Sequence, residues 1–161
     1  FSKKQFHRSK MNVVERLMGK LMVPGHRGKK HVISSGRAVG KYQTCYKIMK
    51  GTFEKIEQIT KKNPVEVLVR AIENSAVREE IAAYQVGGII VRRAVITSPQ
   101  RRVDIAIKNI VQASFRKSFG KKETIVGALT NEIVSAYNRD PSKSDSIRER
   151  DRHEKEAEGA R

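Results

Sequence analysis

The sequence predicts a mainly α single domain of about six helices with one inserted β-hairpin. Three observations predict it. Apolar residues recur at helical spacing in successive runs, and two of those runs begin with a cap residue followed by proline, at Asn63-Pro64 and Ser98-Pro99. One stretch only, "YQVGGIIVRRAVITSPQRR" over 84–102, is rich in β-branched residues on either side of a glycine pair. The 161-residue length lets one domain bury roughly 70% of its unfolded-chain surface, so a core forms without disulfides. None is possible within the chain, because Cys45 is its single cysteine; it reads as a small buried apolar residue in a reducing compartment.

Each element has its own justification. Residues 1–11, opening "FSKKQFHRSK", are basic and aperiodic, and are expected to form an arm that stays disordered until something negative orders it. Residue 1 is Phe rather than Met, so a few starting residues are expected to be missing, and the first ten residues carry no apolar run like that of a secretory signal. Asn12 caps a first helix with Val14, Leu17, Met18 and Leu21 on one face, and Pro24-Gly25 ends it. Residues 24–41 form a basic Gly/Ser/Lys loop, long enough to be functional or disordered. The second helix starts near Tyr42, with Tyr46, Met49, Phe53, Ile56 and Thr60 as its apolar stripe and Gly51 inside it. The third starts at Asn63-Pro64, with Val65, Leu68, Val69, Ile72 and Ala76 facing the core.

Residues 79–97 are the hairpin, strands Ile81–Val86 and Ile89–Thr97 turning on Gly87-Gly88, whose tolerance of positive φ suits a two-residue loop. Adjacent Arg92 and Arg93 point to opposite faces of their strand. From Ser98-Pro99 a fourth helix buries Val103, Ala106, Ile107, Ile110 and Ser114. At about 100° per residue, Arg101, Lys108, Gln112 and Arg116 gather opposite, with Ile105 the one apolar residue among them. "FGKKET" separates it from a fifth helix lined by Ile125, Val126, Leu129, Ile133 and Ala136. Residues 144–161 are helix-forming but poor in apolar residues, with Ile147 the only large one and pairs such as Asp151 with Lys155 as weak support. The longest apolar runs are three or four residues, far below the ~20 that span a bilayer, so no membrane role is expected.

Charge carries the functional information. The net charge is +17, and it is unevenly placed: +12 over residues 1–50 and +8 over 85–122, against −1 over 51–84 and −2 over 123–161. The two basic blocks contain one acid each, Glu15 and Asp104. A solvated face usually mixes signs, so these blocks point to a polyanion, nucleic acid before acidic lipid. Candidate phosphate contacts are Lys3, Lys4, Arg8 and Lys10 on the arm, Arg27, Lys29, Lys30, Arg37 and Lys41 on the loop, Arg92, Arg93, Arg101 and Arg102 near the hairpin, and Lys108 and Arg116 on the fourth helix. Few aromatic side chains accompany them (Phe6, Tyr42, Tyr84), which favours RNA read by shape over a base-stacking platform.

Catalytic and metal chemistry fit poorly. "GRAVGKY" has three residues between Gly36 and Gly40 where a phosphate loop has four, and Tyr42 stands where the magnesium-binding hydroxyl belongs. His7, His26, His31 and Cys45 match no zinc spacing. No paired carboxylates suit a metal nuclease. No catalytic residue, metal, cofactor or small-molecule substrate is expected. A structural RNA binder leads; a free-standing basic DNA or chromatin binder is the alternative, separated from it by competition between folded RNA and duplex DNA at matched salt. An RNA-processing enzyme would be distinguished by turnover.

Several stretches carry a family resemblance: "NVVERLMGKLM", "NPVEVLVRAIENSA", Gly87-Gly88 and "AVITSPQRRVDIAIKNIV", in that order along nearly the whole chain. Together they closely resemble the small-subunit ribosomal protein seven family, in its archaeal and eukaryotic branch. The resemblance implies a helical domain with a protruding ribbon, located in the cytoplasm within the small ribosomal subunit. It further implies binding to the 3′ major domain of small-subunit ribosomal RNA, early assembly of the head, and a place near exit-site tRNA and messenger RNA. On this likeness the arm, the Arg27–Lys41 loop and the Arg101-Arg102 helix start correspond to RNA-contacting regions. Val86, Gly87, Gly88, Ile89 and Ile90 correspond to a ribbon tip facing tRNA and messenger, and neighbouring small-subunit proteins are further partners, with Ile105 a candidate contact for one. The chain departs from the pattern at Val77, where relatives usually carry proline, in a first ribbon strand without basic residues, and in a more acidic tail.

Overall fold

A computed structural model describes residues 6–25 and 37–161. Six α-helices and one hairpin follow in chain order: α1 (Val13–Met22), α2 (Tyr42–Thr60), α3 (Pro64–Ser75), β1 (Glu79–Val86), β2 (Ile89–Ile96), α4 (Pro99–Ser118), α5 (Ile125–Tyr137) and α6 (Asp145–Glu158). The predicted mainly α architecture with an inserted hairpin is thus the observed one. The arm differs in its described part, where His7–Lys10 form a single 3₁₀ turn, with Ser9 Oγ donating to the Phe6 carbonyl at 2.7 Å.

Helix starts follow local chemistry. Asn12, Asn63 and Thr124 accept from the backbone amides of Val14, Val65 and Gly127, meeting donors that a helix leaves unpaired at its first turn. Ser98 differs from expectation: its backbone occupies the cap position, but its side chain makes no capping bond, and α4 begins on the proline alone.

The core joins Leu17 and Leu21 of α1, Met49 and Ile56 of α2, Leu68 and Ile72 of α3, Ile107 and Ile110 of α4, Leu129 and Ile133 of α5, and Ile147 of α6. Two predicted faces are rotated. On α2 the buried stripe is Cys45, Met49, Thr52 and Ile56, and Tyr46 lies 52% exposed. On α3, Val67 and Ala71 are buried while Val65 and Val69 face outward. Cys45 is fully buried, and burial pushes its thiol above the ordinary value, as suits an inert packing residue.

Gly51 sits where α2 crosses α5: a methyl group there would meet Val126 Cγ1 at 3.5 Å, an ordinary packing distance. Gly51→Ala is therefore expected to stabilise the protein by about 0.5–1 kcal/mol, the helix-propensity difference, read as a higher urea midpoint with an unchanged m-value. A lower midpoint would mean that α2 and α5 cannot accept even one methyl group.

Sequence-remote polar groups finish the packing. Asn74, at the end of α3, donates to the carbonyls of Ala136 (3.0 Å) and Tyr137 (2.9 Å), while Arg150 of α6 donates to the Asn74 carbonyl at 2.5 Å. Glu132 is fully buried and accepts from Lys117 Nζ at 2.6 Å, Ser144 Oγ at 2.8 Å and Ser146 N at 2.9 Å. These bonds join α6 to the bundle alongside its one large apolar residue, Ile147. The expected Asp151–Lys155 pair is replaced by Asp151 with Arg150, and by Arg148 with Asp145 and Arg152 with Glu149, each on α6.

Candidate nucleic-acid interface

The hairpin's register pairs Glu79 with Ile96 at its base and Val86 with Ile89 at its tip, and Gly87 and Gly88 both take positive φ, +55° and +89°. That turn matches the right-handed twist of its strands. Glu79–Ala82 are partly covered while Ala83–Val86 are exposed, so the distal four residues stand roughly 13 Å clear at about 3.3 Å per residue. The tip is apolar and bare: Val86, Ile89 and Ile90 are 57%, 71% and 68% exposed.

The base is clamped by the acidic tail. Arg161 donates to both carboxylate oxygens of Glu79, at 2.8 and 2.7 Å; Ala94 N donates to the Ala160 carbonyl at 3.4 Å; and Glu154 accepts from Arg78 N at 3.2 Å. Of the tail's acids one, Glu154, bonds the ribbon base; the ion pair runs the other way, from the tail's Arg161 to the ribbon's Glu79. Val77, the residue found in place of the expected proline, is fully buried beside this junction.

The predicted cations other than Arg37 fall into three groups. Lys3, Lys4, Arg27, Lys29 and Lys30 lie outside the described residues. Arg101, Arg102 and Arg116 are engaged inside the chain: Arg101 bonds Glu80 through Nε and Nη2, Arg102 Nε donates to the Thr97 carbonyl at 2.9 Å, and Arg116 pairs with Asp145. The Glu80 carboxylate raises the Arg101 pKa further. Arg8, Lys10, Lys41, Arg92, Arg93 and Lys108 are exposed, and no carboxylate among the described residues pairs with them. Arg92 and Arg93 sit opposite Ala83 and Ala82, on opposite faces of the ribbon as predicted, with only a methyl group across from each.

Helix α4 brings part of this set together. Its outward face runs from Arg101 at the ribbon base to Lys108, which lies near Lys20 of α1 and Arg8 of the 3₁₀ turn. Lys20 is a cation the sequence reading missed. Its only sequence signal is its place in the first basic block, one turn beyond Arg16. Burial first, then Lys108 and Arg8, lower its pKa below the usual lysine range, with Asp104 acting weakly the other way. Arg37, Lys41 and Lys121 rim a second feature, a groove of about 680 Å³ between the α1–α2 and α4–α5 edges, floored by Leu21, Ile48 and Phe115. Among the described residues no group of three metal-ligating side chains converges, and no helix is long and apolar enough to cross a membrane.

Comparison with known proteins agrees with the architecture. The family model described as ribosomal protein S7p/S5e matches residues 2–161. The small ribosomal subunit protein uS7 of Nanoarchaeum equitans is 46% identical over 159 residues, covering 99% of this chain and 80% of that protein. Its namesake in Archaeoglobus fulgidus is 40% identical over 156 residues, 97% and 74% of the two chains. That of Methanothrix thermoacetophila is 40% identical over 160 residues, 99% and 80%.

Proposed function

This chain belongs to the ribosomal protein S7p/S5e family, and from that membership we propose that it binds the 3′ major domain of small-subunit ribosomal RNA, begins assembly of the head, and sits beside exit-site tRNA and messenger RNA. The family is structural and non-catalytic, a constituent of the cytoplasmic small ribosomal subunit. One observation carries the RNA reading: two almost acid-free basic blocks, residues 1–50 and 85–122, supply α1 and α4, which lie side by side so that Arg8, Lys20 and Lys108 share one surface. An RNA backbone neutralises such a surface, and release of its counterions drives the association.

The ribbon has a separate job. Its base is held by Glu79, Glu80 and the tail, and Arg92 and Arg93 offer phosphate contacts midway along it. Its bare apolar tip, Val86 to Ile90, has no charge of its own and suits a bound tRNA or messenger brought alongside. Neighbouring small-subunit proteins would cover the apolar sides of the ribbon, where Ile96 is 80% exposed.

The test is filter binding to a transcript of the 3′ major domain, with duplex DNA as competitor at matched salt. RNA is expected to win; preference for DNA would return the chain to the chromatin-binder alternative. Deleting residues 86–90 is expected to leave RNA affinity within about twofold, because no cation is removed, while lowering occupancy of exit-site tRNA on reconstituted subunits. Loss of the RNA complex on that deletion would show the tip to be part of the RNA site.

A further inference from the structure

The seam between α1 and α4 has a regular register. Arg16 Nη2 donates to Asp104 Oδ1 at 2.9 Å, and two turns further along both segments Gln112 Nε2 donates to the Pro24 carbonyl at 3.1 Å. The residues one turn on from Arg16 and from Asp104, midway between those two contacts, are Lys20 and Lys108. The outer rungs therefore match a donor with an acceptor, and the middle rung sets one ammonium group towards another, with Arg8 close by.

No carboxylate among the described residues forms an ion pair with either lysine. Of the groups that act on Lys20, Asp104 is the one carboxylate, and Arg16 already holds it; on its other side Lys108 lies near His153 of α6, which Glu156 and Glu80 also face. Arg16 is itself 7% exposed, and its Nε is buried without a hydrogen-bond partner, so the positive potential beneath the rung is only partly offset. Residues 1–5 and 26–36, outside the described part, contain no Asp or Glu at all. A like-charged pair on packed helices weakens the seam, and Lys20 is half-buried.

We infer that the Lys20–Lys108 rung is a binding site for one RNA phosphodiester, whose two non-bridging oxygens accept one from each ammonium group and complete the seam. The inference rests on the RNA-binding reading above and gives it a specific anchor. A phosphodiester fits the place better than a protein carboxylate, because Arg8 beside the rung and Lys10 on the same 3₁₀ turn add positive charge with no acid among them. The site has a structural consequence: in the free protein its two cations oppose the closure of α1 on α4, and binding RNA relieves the opposition.

Two readouts of opposite sign test it. Lys20→Glu places a carboxylate opposite Lys108 and beside Arg8, so the free protein is expected to melt about 2 °C or more higher. The same variant is expected to bind the 3′ major domain transcript at least about tenfold more weakly, with the salt slope reduced by about one unit. Lys20→Met, which removes charge without reversing it, should weaken binding less, and Lys55→Glu, on the exposed side of α2, should leave affinity within about twofold. If wild-type protein shows steep salt-dependent binding and Lys20→Glu matches it, the rung is not a phosphate site, whether it meets a partner protein's carboxylate or nothing. Should Lys20→Glu melt lower than wild type, the seam register is wrong and the inference falls. If wild-type protein shows no salt-sensitive RNA binding, the RNA reading fails first and takes the rung with it.

Discussion

Between about 50 and 200 mM salt, affinity for the 3′ major domain transcript is expected to fall by about 10³ to 10⁵, the loss that follows when about 6 to 10 phosphates are neutralised. The structure decides which cations to count. Arg8, Lys10, Lys41, Arg92, Arg93 and Lys108 are exposed without a carboxylate partner among the described residues, and Lys20 joins them. Arg101, Arg102, Arg116 and Lys117 already bond acceptors within the chain, so they exchange one partner for another and contribute less. Mutations should reflect the distinction. Arg92→Gln with Arg93→Gln removes two unpaired charges facing alanine, and is expected to flatten the slope by about two units without moving the melting temperature. Arg101→Glu, although it reverses a charge of the same basic block, would set a carboxylate against Glu80 and release the ribbon base, so its effect on RNA would mix binding with folding. Arg101→Gln is the cleaner probe. A wild-type slope shallower than about −3 would mean too few phosphate contacts for the two basic blocks to be the interface.

How much of this was legible in the sequence depended on whether a signal was periodic. Helix α4 could be read residue by residue, because Ala106, Ile107, Ile110 and Ser114 on one side and Arg101, Lys108 and Arg116 on the other leave one choice of face. On α3 the apolar arc is wide: Val65, Val67, Val69, Leu68 and Ile72 cover more than half of the helix, opposite a polar stripe of Glu66, Arg70 and Glu73. The face that packs is the one whose small Ala71 permits close approach, a fact about its neighbours rather than itself. On α2 the helical spacing puts Tyr46 on the apolar stripe, whereas the seam takes the smaller Cys45 and Thr52. Charge blocks were visible, but charge pairing was not. Arg16 finds Asp104 at a separation of 88 residues and Arg101 finds Glu80 across 21, and neither spacing leaves a local trace. The resulting picture shifts the weight of the site: α4 remains its spine, some of its arginines hold the ribbon base and tail, and the unpaired charge lies on Arg8, Lys20, Lys108, Arg92 and Arg93.

Lys117→Met should remove about 3 kcal/mol of stability, the lower end of the range for breaking a buried ion pair, because the Lys117 side chain is 26% exposed. The carboxylate left behind, on Glu132, has no exposure at all and would keep only neutral donors, the Ser144 hydroxyl and the Ser146 amide. Lost packing of a long side chain would give a smaller effect, and a second variant separates the two causes. Glu132→Gln in the Lys117→Met background removes the stranded charge while its amide oxygen still accepts from both serines, so at least about half of the lost stability should return. A double variant no more stable than Lys117→Met alone would show that burial of charge is not the cause. The consequences reach the ribbon, because the loop from Lys143 to Ser146 that Glu132 and Lys117 hold is the start of α6, and the end of α6 carries the Ala160 carbonyl and Arg161 to the hairpin base. Amide exchange at Ala94 is therefore expected to quicken in Lys117→Met along with that of α6. Exchange that quickened in α6 alone would mean the ribbon base is held by Arg101 and Glu80 without help from the tail.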